Sequence, residues 1–274
     1  MRLLIIGAAG FIGGHLTRKA AAAGYDVVAL SRAGSVAGFS GPHFIWELGQ
    51  PLPPMALDGV SCAIYLAHDF GGEKGAALTV QQTLACVEQL RRHGVGRQLF
   101  FSSYSAGAYA ISLYGRTKFE IERAVTGLAD LVIVRPGLVL GDGGIYGRIR
   151  KWAQKFPLVP LPDGGRLEVP VISIHRLCDE TLALASAPAP PREANLFEQR
   201  LVTLRELVDR AASEVGRHPL IVPVPSMLLL WGLRAMAALR IPSPVNADNL
   251  VGLLASQNAG HLSILPSGGT EHTA

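Results

Sequence analysis

The chain reads as an α/β fold, a doubly wound parallel sheet with helices on both faces and a smaller C-terminal substrate-binding region. Three observations predict this. Short apolar runs alternate with helical stretches over residues 1–140. The first run stops at three glycines spaced by three. The composition of the 274 residues, 49% hydrophobic and 17% charged, suits a large buried core and argues against disorder.

Leu3 to Ile6 are unbroken and apolar, Gly7, Gly10 and Gly13 follow, and Phe11, Ile12 and Leu16 continue the apolar pattern. This predicts a buried strand, a tight turn and the first turn of a helix. Gly7 supplies backbone angles that other residues resist. Gly10 lets a pyrophosphate approach the main chain, and Gly13 lets the helix sit close on the sheet. The free N–H groups of the helix start, at Phe11 and Ile12, then point at phosphates, and the helix dipole adds to the attraction.

The helix runs over about 11–23 and stops at Gly24. Asp26 to Leu30 is a second buried strand, ending at Ser31 and Arg32. An acid there would accept hydrogen bonds from the adenosine ribose, whereas an arginine pairs with a 2′-phosphate. Asp26 lies at the wrong end of the strand and Arg32 at the right one, so NADP is expected over NAD. Residues 33–55 are rich in Gly, Pro and Ser around a short strand at His43 to Trp46. Glu47 and Leu48 then fall near the adenine. Val60 to Ala67 is the next strand, and it puts Ala67 and His68, with Asp69, at the cofactor pocket. A helix over 76–92 ends at Gly94. Leu99 to Phe101 is a strand opening onto Ser102 and Ser103. A helix over 112–125 and a strand at Leu131 to Val134 complete the regular part.

The rhythm fails after Leu140. Residues 141–172 hold many Gly and Pro and a basic helix around 146–156. Its Arg148, Arg150 and Lys151 suit either an anionic substrate or a solvated face. His175 to Ser186 is one more helix of the main domain, and 187–192 is a proline-rich connector. Leu204 to Val215 is a helix. The apolar segment 226–239 is too short to span a bilayer and reads as an amphipathic core helix. The expected division is 1–140 plus about 173–190 for the dinucleotide, 141–172 plus about 191–257 for the substrate, and a loose tail over 258–274.

The net charge of +4 comes from scattered residues with no aromatic-plus-basic stripe, which argues against a nucleic-acid partner. Cys62, Cys86 and Cys178 are odd in number and far apart, so neither a disulfide framework nor a metal site is expected. His175 and Asp179 share a helix face without a third ligand, which favours a structural role. The opening apolar stretch is too short for a secretory leader, and a cytoplasmic protein is expected.

Tyr114 and Lys118 are four apart on a predicted helix and share a face. Ser103 stands at the C-terminal end of the preceding strand, where ligands of open parallel sheets bind. Together they suggest a carbonyl–alcohol redox site. An ammonium beside the phenol would favour the phenolate, whose ordinary pKa is near ~10. Tyr114 would then exchange a proton near neutrality. Lys118 would also hold the nicotinamide ribose, and Ser103 would anchor the substrate oxygen. Ser102 and Ser105 are rival anchors.

The segments GAAGFIG at 7–13, FFSSYSAG at 100–107, YGRTK at 114–118 and RPGLVLG at 135–141 resemble the short-chain dehydrogenase/reductase superfamily. Its extended or atypical, NAD-dependent epimerase/dehydratase-like branch is the most similar. The resemblance covers about residues 1–190. It implies a Rossmann fold, a nicotinamide cofactor, and Ser103, Tyr114 and Lys118 as the active constellation. It further implies that the main chain of Pro136, Gly137, Leu138 and Val139 lies along the nicotinamide, and that a homodimer packs through helices of the main domain. Departures are visible. Ser103 and Tyr114 stand only eleven residues apart, about half the family's usual interval. Thr79 stands where many members carry Asn. Leu138 replaces an Asn common in nucleotide-sugar enzymes, and Tyr104 and Ser105 replace the acidic pair of sugar dehydratases. The expected activity is an NADP-dependent oxidoreductase of a small carbonyl or alcohol. The alternatives are an epimerase on a sugar derivative and a non-catalytic NADP-binding sensor or assembly protein.

Overall fold

The computed structural model describes residues 1–239, 243, 245–255 and 260–265. Strands β1 (Arg2–Ile6), β2 (Asp26–Ser31), β3 (His43–Ile45), β4 (Cys62–Tyr65), β5 (Arg97–Phe101) and β6 (Leu131–Pro136) alternate with helices α1 (Phe11–Ala22), α2 (Gly72–Arg92) and α3 (Leu113–Val125). Then come β7 (Leu138–Leu140), α4 (Gly144–Lys155), β8 (Leu158–Pro162), β9 (Glu168–Val169), β10 (Val171–Ser173) and α5 (Ile174–Ser186). The chain continues through β11 (Glu193–Leu196), β12 (Val202–Thr203), α6 (Leu204–Ser213), β13 (Leu220–Val224), α7 (Ser226–Ala238) and α8 (Ala247–Ala255).

The main sheet has the order β11-β6-β5-β4-β1-β2-β3, and every pairing in it is parallel. The order reverses beside β1, which pairs with both β2 and β4. A crevice for a ligand opens at such a point, beyond the C-terminal ends of the strands. Side chains of one strand alternate between faces. Leu3 and Ile5 pack with Leu16 and Ala20 of α1 and with Leu177 and Cys178 of α5. Leu4 and Ile6 pack with Val87 and Leu90 of α2 and with Ile121 and Val125 of α3. Both faces are apolar, so the strands read as continuous runs.

Four findings differ from the sequence reading. β11 joins the main sheet beside β6, although the sequence places residues 191–257 in the substrate region. Its sequence EANL carries no apolar run to mark it. α2 starts at Gly72 rather than at 76. α7 is not a core helix. Leu233 is its one buried residue, and Met227, Leu228 and Trp231 are 66%, 63% and 64% exposed. Residues 260–265 are held rather than loose. Ile264 N donates to Asn195 O (3.0 Å), Asn195 Nδ2 donates to Leu262 O (2.8 Å), and Leu265 is buried. The rest of the expected tail, 258–259 and 266–274, lies outside the described residues. Among the described residues no helix is long and apolar enough to cross a membrane.

Candidate active site

The turn after β1 is tight. Gly7 has φ +94°, and its N–H and that of Ala8 both donate to Leu30 O at 2.9 Å. A Cβ on Gly7 would lie 2.8 Å from Ala67 N, and one on Gly13 would lie 2.2 Å from Gly7 O. The glycines therefore press α1, β1 and the end of β4 together. The helix cap, Gly10, offers no side-chain partner to the first N–H groups of α1, so these donors are free for an anion. A dinucleotide's pyrophosphate fits this cradle. Ser102 Oγ and His68 Nδ1 give a second sign of a missing polar partner. Both are buried without a hydrogen bond among the described residues, which is costly unless a ligand satisfies them.

On the β2 side, Arg32 is exposed and makes no ion pair among the described residues. Asp26 pairs instead with Arg2 at the far end of the strand (3.5 Å). Ser31 is buried and its hydroxyl is taken by His43 Nε2 (2.9 Å) and Ala33 O (3.2 Å). It faces inward, and its carbonyl accepts from Trp46 N (2.9 Å), so Ser31 offers no free side chain to a ribose. Glu47 is exposed, and Leu48 packs against the lower core. These four residues sit apart from the cleft described next.

Helix α3 begins with two caps. Ser112 Oγ accepts from Gly115 N (3.1 Å). Asp248 of α8 accepts from Leu113 N through Oδ1 (2.7 Å) and from Tyr114 N through Oδ2 (3.2 Å). One turn on, Lys118 is buried, and its Nζ donates to Phe101 O at the end of β5 (2.8 Å). The ammonium lies 5.6 Å from the centroid of the Tyr114 ring. Burial lowers the Lys118 pKa to about 7, against the raising charge of Glu122. Burial pushes the Tyr114 phenol up to about 12. The sequence implies a phenol easily ionised by its ammonium neighbour. Here desolvation outweighs that neighbour, and the group is a neutral acid.

The Tyr114 ring is flanked by His68, edge-on at 4.8 Å, and by Phe70, stacked at 6.0 Å. Burial first, and the Lys118 charge second, lower the His68 pKa to about 3, so this imidazole is neutral. Asp69 does not line the cleft: its Oδ1 accepts from Gly71 N (2.7 Å), and its N–H donates to Thr79 Oγ1 (3.0 Å). Ser103 Oγ is hydrogen-bonded to Ser105 Oγ (2.9 Å) and accepts from Ser105 N (3.2 Å).

A cleft of about 310 Å³ opens above these groups. Ser102, Ser103, Ser105 and Tyr114 line it, with Phe11 and Ile12 from the glycine turn and Pro136 to Val139 from the end of β6. The short interval between Ser103 and Tyr114 thus still delivers both to one cleft. Sequence reasoning missed Phe70, Asp248 and Asn249, which also line it. Asp248 stands 134 residues beyond Tyr114, and no local pattern announces it. Of the basic trio, Arg148 lines the cleft, while Arg150 turns to Glu214 (3.6 Å). Asp179 pairs with Lys19 (2.5 Å), and no metal-binding group of three ligands exists among the described residues.

The parallel sheet with its order reversing beside β1, and the glycine turn after β1, define a Rossmann-type α/β fold. The family model described as the NAD dependent epimerase/dehydratase family matches residues 3–45. No curated protein matches. Among solved structures, a UDP-glucose 4-epimerase of Thermotoga maritima with UDP-glucose is 19% identical, with a TM-score of 0.68 over 82% of this chain and 86% of that one. A UDP-glucose 4-epimerase of Thermus thermophilus in complex with NAD is 18% identical, with a TM-score of 0.67 over 96% of this chain and 100% of that one. The NAD-dependent NDP-hexosamine 5,6-dehydratase TunA of tunicamycin biosynthesis is also 18% identical, with a TM-score of 0.67 over 94% and 98%. The matched opening segment and the shared fold bear out the resemblance to the short-chain dehydrogenase/reductase superfamily on its epimerase/dehydratase-like side.

Proposed function

We propose that the chain is an NADP-dependent oxidoreductase acting on a small carbonyl or alcohol. The observation that carries this reading is the convergence of Phe11 and Ile12 at the start of α1, the strand-end serines and Tyr114 on one cleft, with Lys118 buried one turn behind Tyr114. When bound, the nicotinamide supplies hydride to the carbonyl carbon or takes it from the alcohol carbon. Tyr114 Oη holds the proton that goes to the carbonyl oxygen, and its raised pKa keeps that proton in place at neutral pH. Ser103 Oγ hydrogen-bonds the same oxygen and fixes its direction. Lys118, whose Nζ donates to Phe101 O, would compensate charge as the phenol ionises and would hold the nicotinamide ribose. The main chain of Pro136 to Val139 would border the nicotinamide, and the α1 N-terminus would bind the pyrophosphate.

Arg32 supports NADP, because the strand end offers a guanidinium and no carboxylate. An epimerase acting on a sugar derivative is the second reading, favoured by the relatives named with UDP-glucose. Turnover with no net change in the cofactor would select it. Tyr114→Phe tests the main reading. We expect turnover to fall by about 10²–10⁴-fold with NADPH binding retained. A rate within a fewfold of the parent would remove Tyr114 from its role.

A further inference from the structure

The α4 cations do not share one fate. Arg150 pairs with Glu214. Arg148 lines the cleft and makes no ion pair among the described residues. Its hydrogen-bonding partner is neutral: Nη2 donates to Asn249 Oδ1 at 3.4 Å. The acid among the cleft's lining residues, Asp248, is already engaged by two N–H groups of α3. Its charge is thus met by a helix N-terminus. Most of the remaining wall is apolar, with Leu138, Val139 and Val169 among the residues. Arg148 is exposed at the rim of this apolar cleft, and a guanidinium there without a counter-charge can pair with an anion that enters the cleft. The cleft of about 310 Å³ is already at the lower end for ligand pockets and must also admit the nicotinamide beside Pro136–Val139, so the space left suits a compact molecule.

We propose that Arg148, steadied by Asn249, binds a carboxylate carried by a small and largely apolar oxo acid or hydroxy acid. This rests on the redox reading above and narrows its substrate class. With the carboxylate on Arg148, the carbonyl is left for Ser103 and Tyr114. Hydride then goes to the carbonyl carbon and the phenol's proton to its oxygen, giving the hydroxy acid and oxidised cofactor.

The experiment uses the full chain with NADPH and a panel of aliphatic and aryl-substituted oxo acids, each paired with its methyl ester. We expect kcat/KM to favour the acid by at least about tenfold, or ~1.4 kcal/mol. Arg148→Gln should collapse that ratio toward one through KM, and Arg148→Lys should keep part of it. Equal rates for acids and esters, or a ratio unmoved by Arg148→Gln, overturns the proposal while leaving the redox reading intact. So does a preference for a ketone bearing a phosphate monoester. Absence of turnover on every carbonyl would count against the redox reading instead. Calorimetry on the wild-type protein with NADPH then decides the receptor separately. Phenylacetate should bind and phenylacetamide should not, and equal heats would refute Arg148 as an anion site.

Discussion

Two adjacent glycines on α1 should respond in opposite directions to the same added methyl group. In Gly13→Ala the new Cβ would sit 2.2 Å from Gly7 O, 2.9 Å from Gly7 C and 3.0 Å from Ala8 Cα. All three neighbours are backbone of the cofactor turn, so no side chain can swing aside. The helix start must retreat by roughly 1 Å to restore ordinary contact. Alanine gains about 1 kcal/mol over glycine as a helix former, whereas overpacking against a rigid neighbour costs about 1–3 kcal/mol or more. We expect a net loss of about 2 kcal/mol, a fall in Tm of roughly 4–8 °C. NADPH binding should weaken by at least about tenfold, because the N–H donors move with the helix. In Gly14→Ala the nearest atoms are Arg18 Nη1 at 3.4 Å and Ala8 O at 3.6 Å. That methyl fits, and a gain of about 0.5–1 kcal/mol is expected. Thermal melts and fluorescence titration with NADPH read both outcomes. A Gly13→Ala protein that melts with the parent and binds NADPH equally well would refute the packing argument.

Buried and half-buried polar groups give three other predictions. Glu122 and Arg135 form a pair at 2.8 Å, 3% and 8% exposed, and Glu193 adds a more exposed contact at 2.7 Å. Glu122→Gln should cost about 3 kcal/mol in urea unfolding, and a loss under about 1 kcal/mol would mean that Glu193 suffices. Lys118 has a folded pKa of about 7 against an ordinary value of ~10.4. Between those values the unfolded chain holds a proton that the folded chain releases. Stability therefore rises with pH across this window, by at most about 1.4 kcal/mol per pH unit. Lys118→Met should remove that slope in unfolding at pH values chosen inside the window, and an unaltered slope would contradict the burial argument. Asp248→Ala removes the acceptor from Leu113 N and Tyr114 N. About 1 kcal/mol of capping should be lost, with faster amide exchange at those two positions, and Asp248→Asn should retain part. Unchanged exchange at both would show that Ser112 alone holds the helix start.

Much of the sheet was legible because its strands are buried on both faces and must be apolar throughout, as Leu3–Ile6 and Cys62–Tyr65 are. β11 was not, since Glu193 and Asn195 spend their side chains on Arg135 (2.7 and 3.3 Å). Local spacing marked Tyr114 and Lys118, because a four-residue interval on a helix fixes a shared face. Nothing local could mark Asp248 or Asn249, whose positions in the cleft depend on α8 docking against a helix far earlier in the chain. The inward turn of Ser31 follows from its pairing with His43, a contact made between β2 and β3 that the residue type alone does not reveal. α7 misled because an all-round apolar helix gives no polar stripe to distinguish an outward face from a buried one.

The segment 260–265 beside β11 bears on assembly. An edge strand with open amides invites another chain to extend the ladder. Here the Asn195 carbonyl is already occupied by Ile264, and the opposite edge, β3, is three residues long. Both margins are thereby poor templates for strand addition, and the main sheet ends within its own chain.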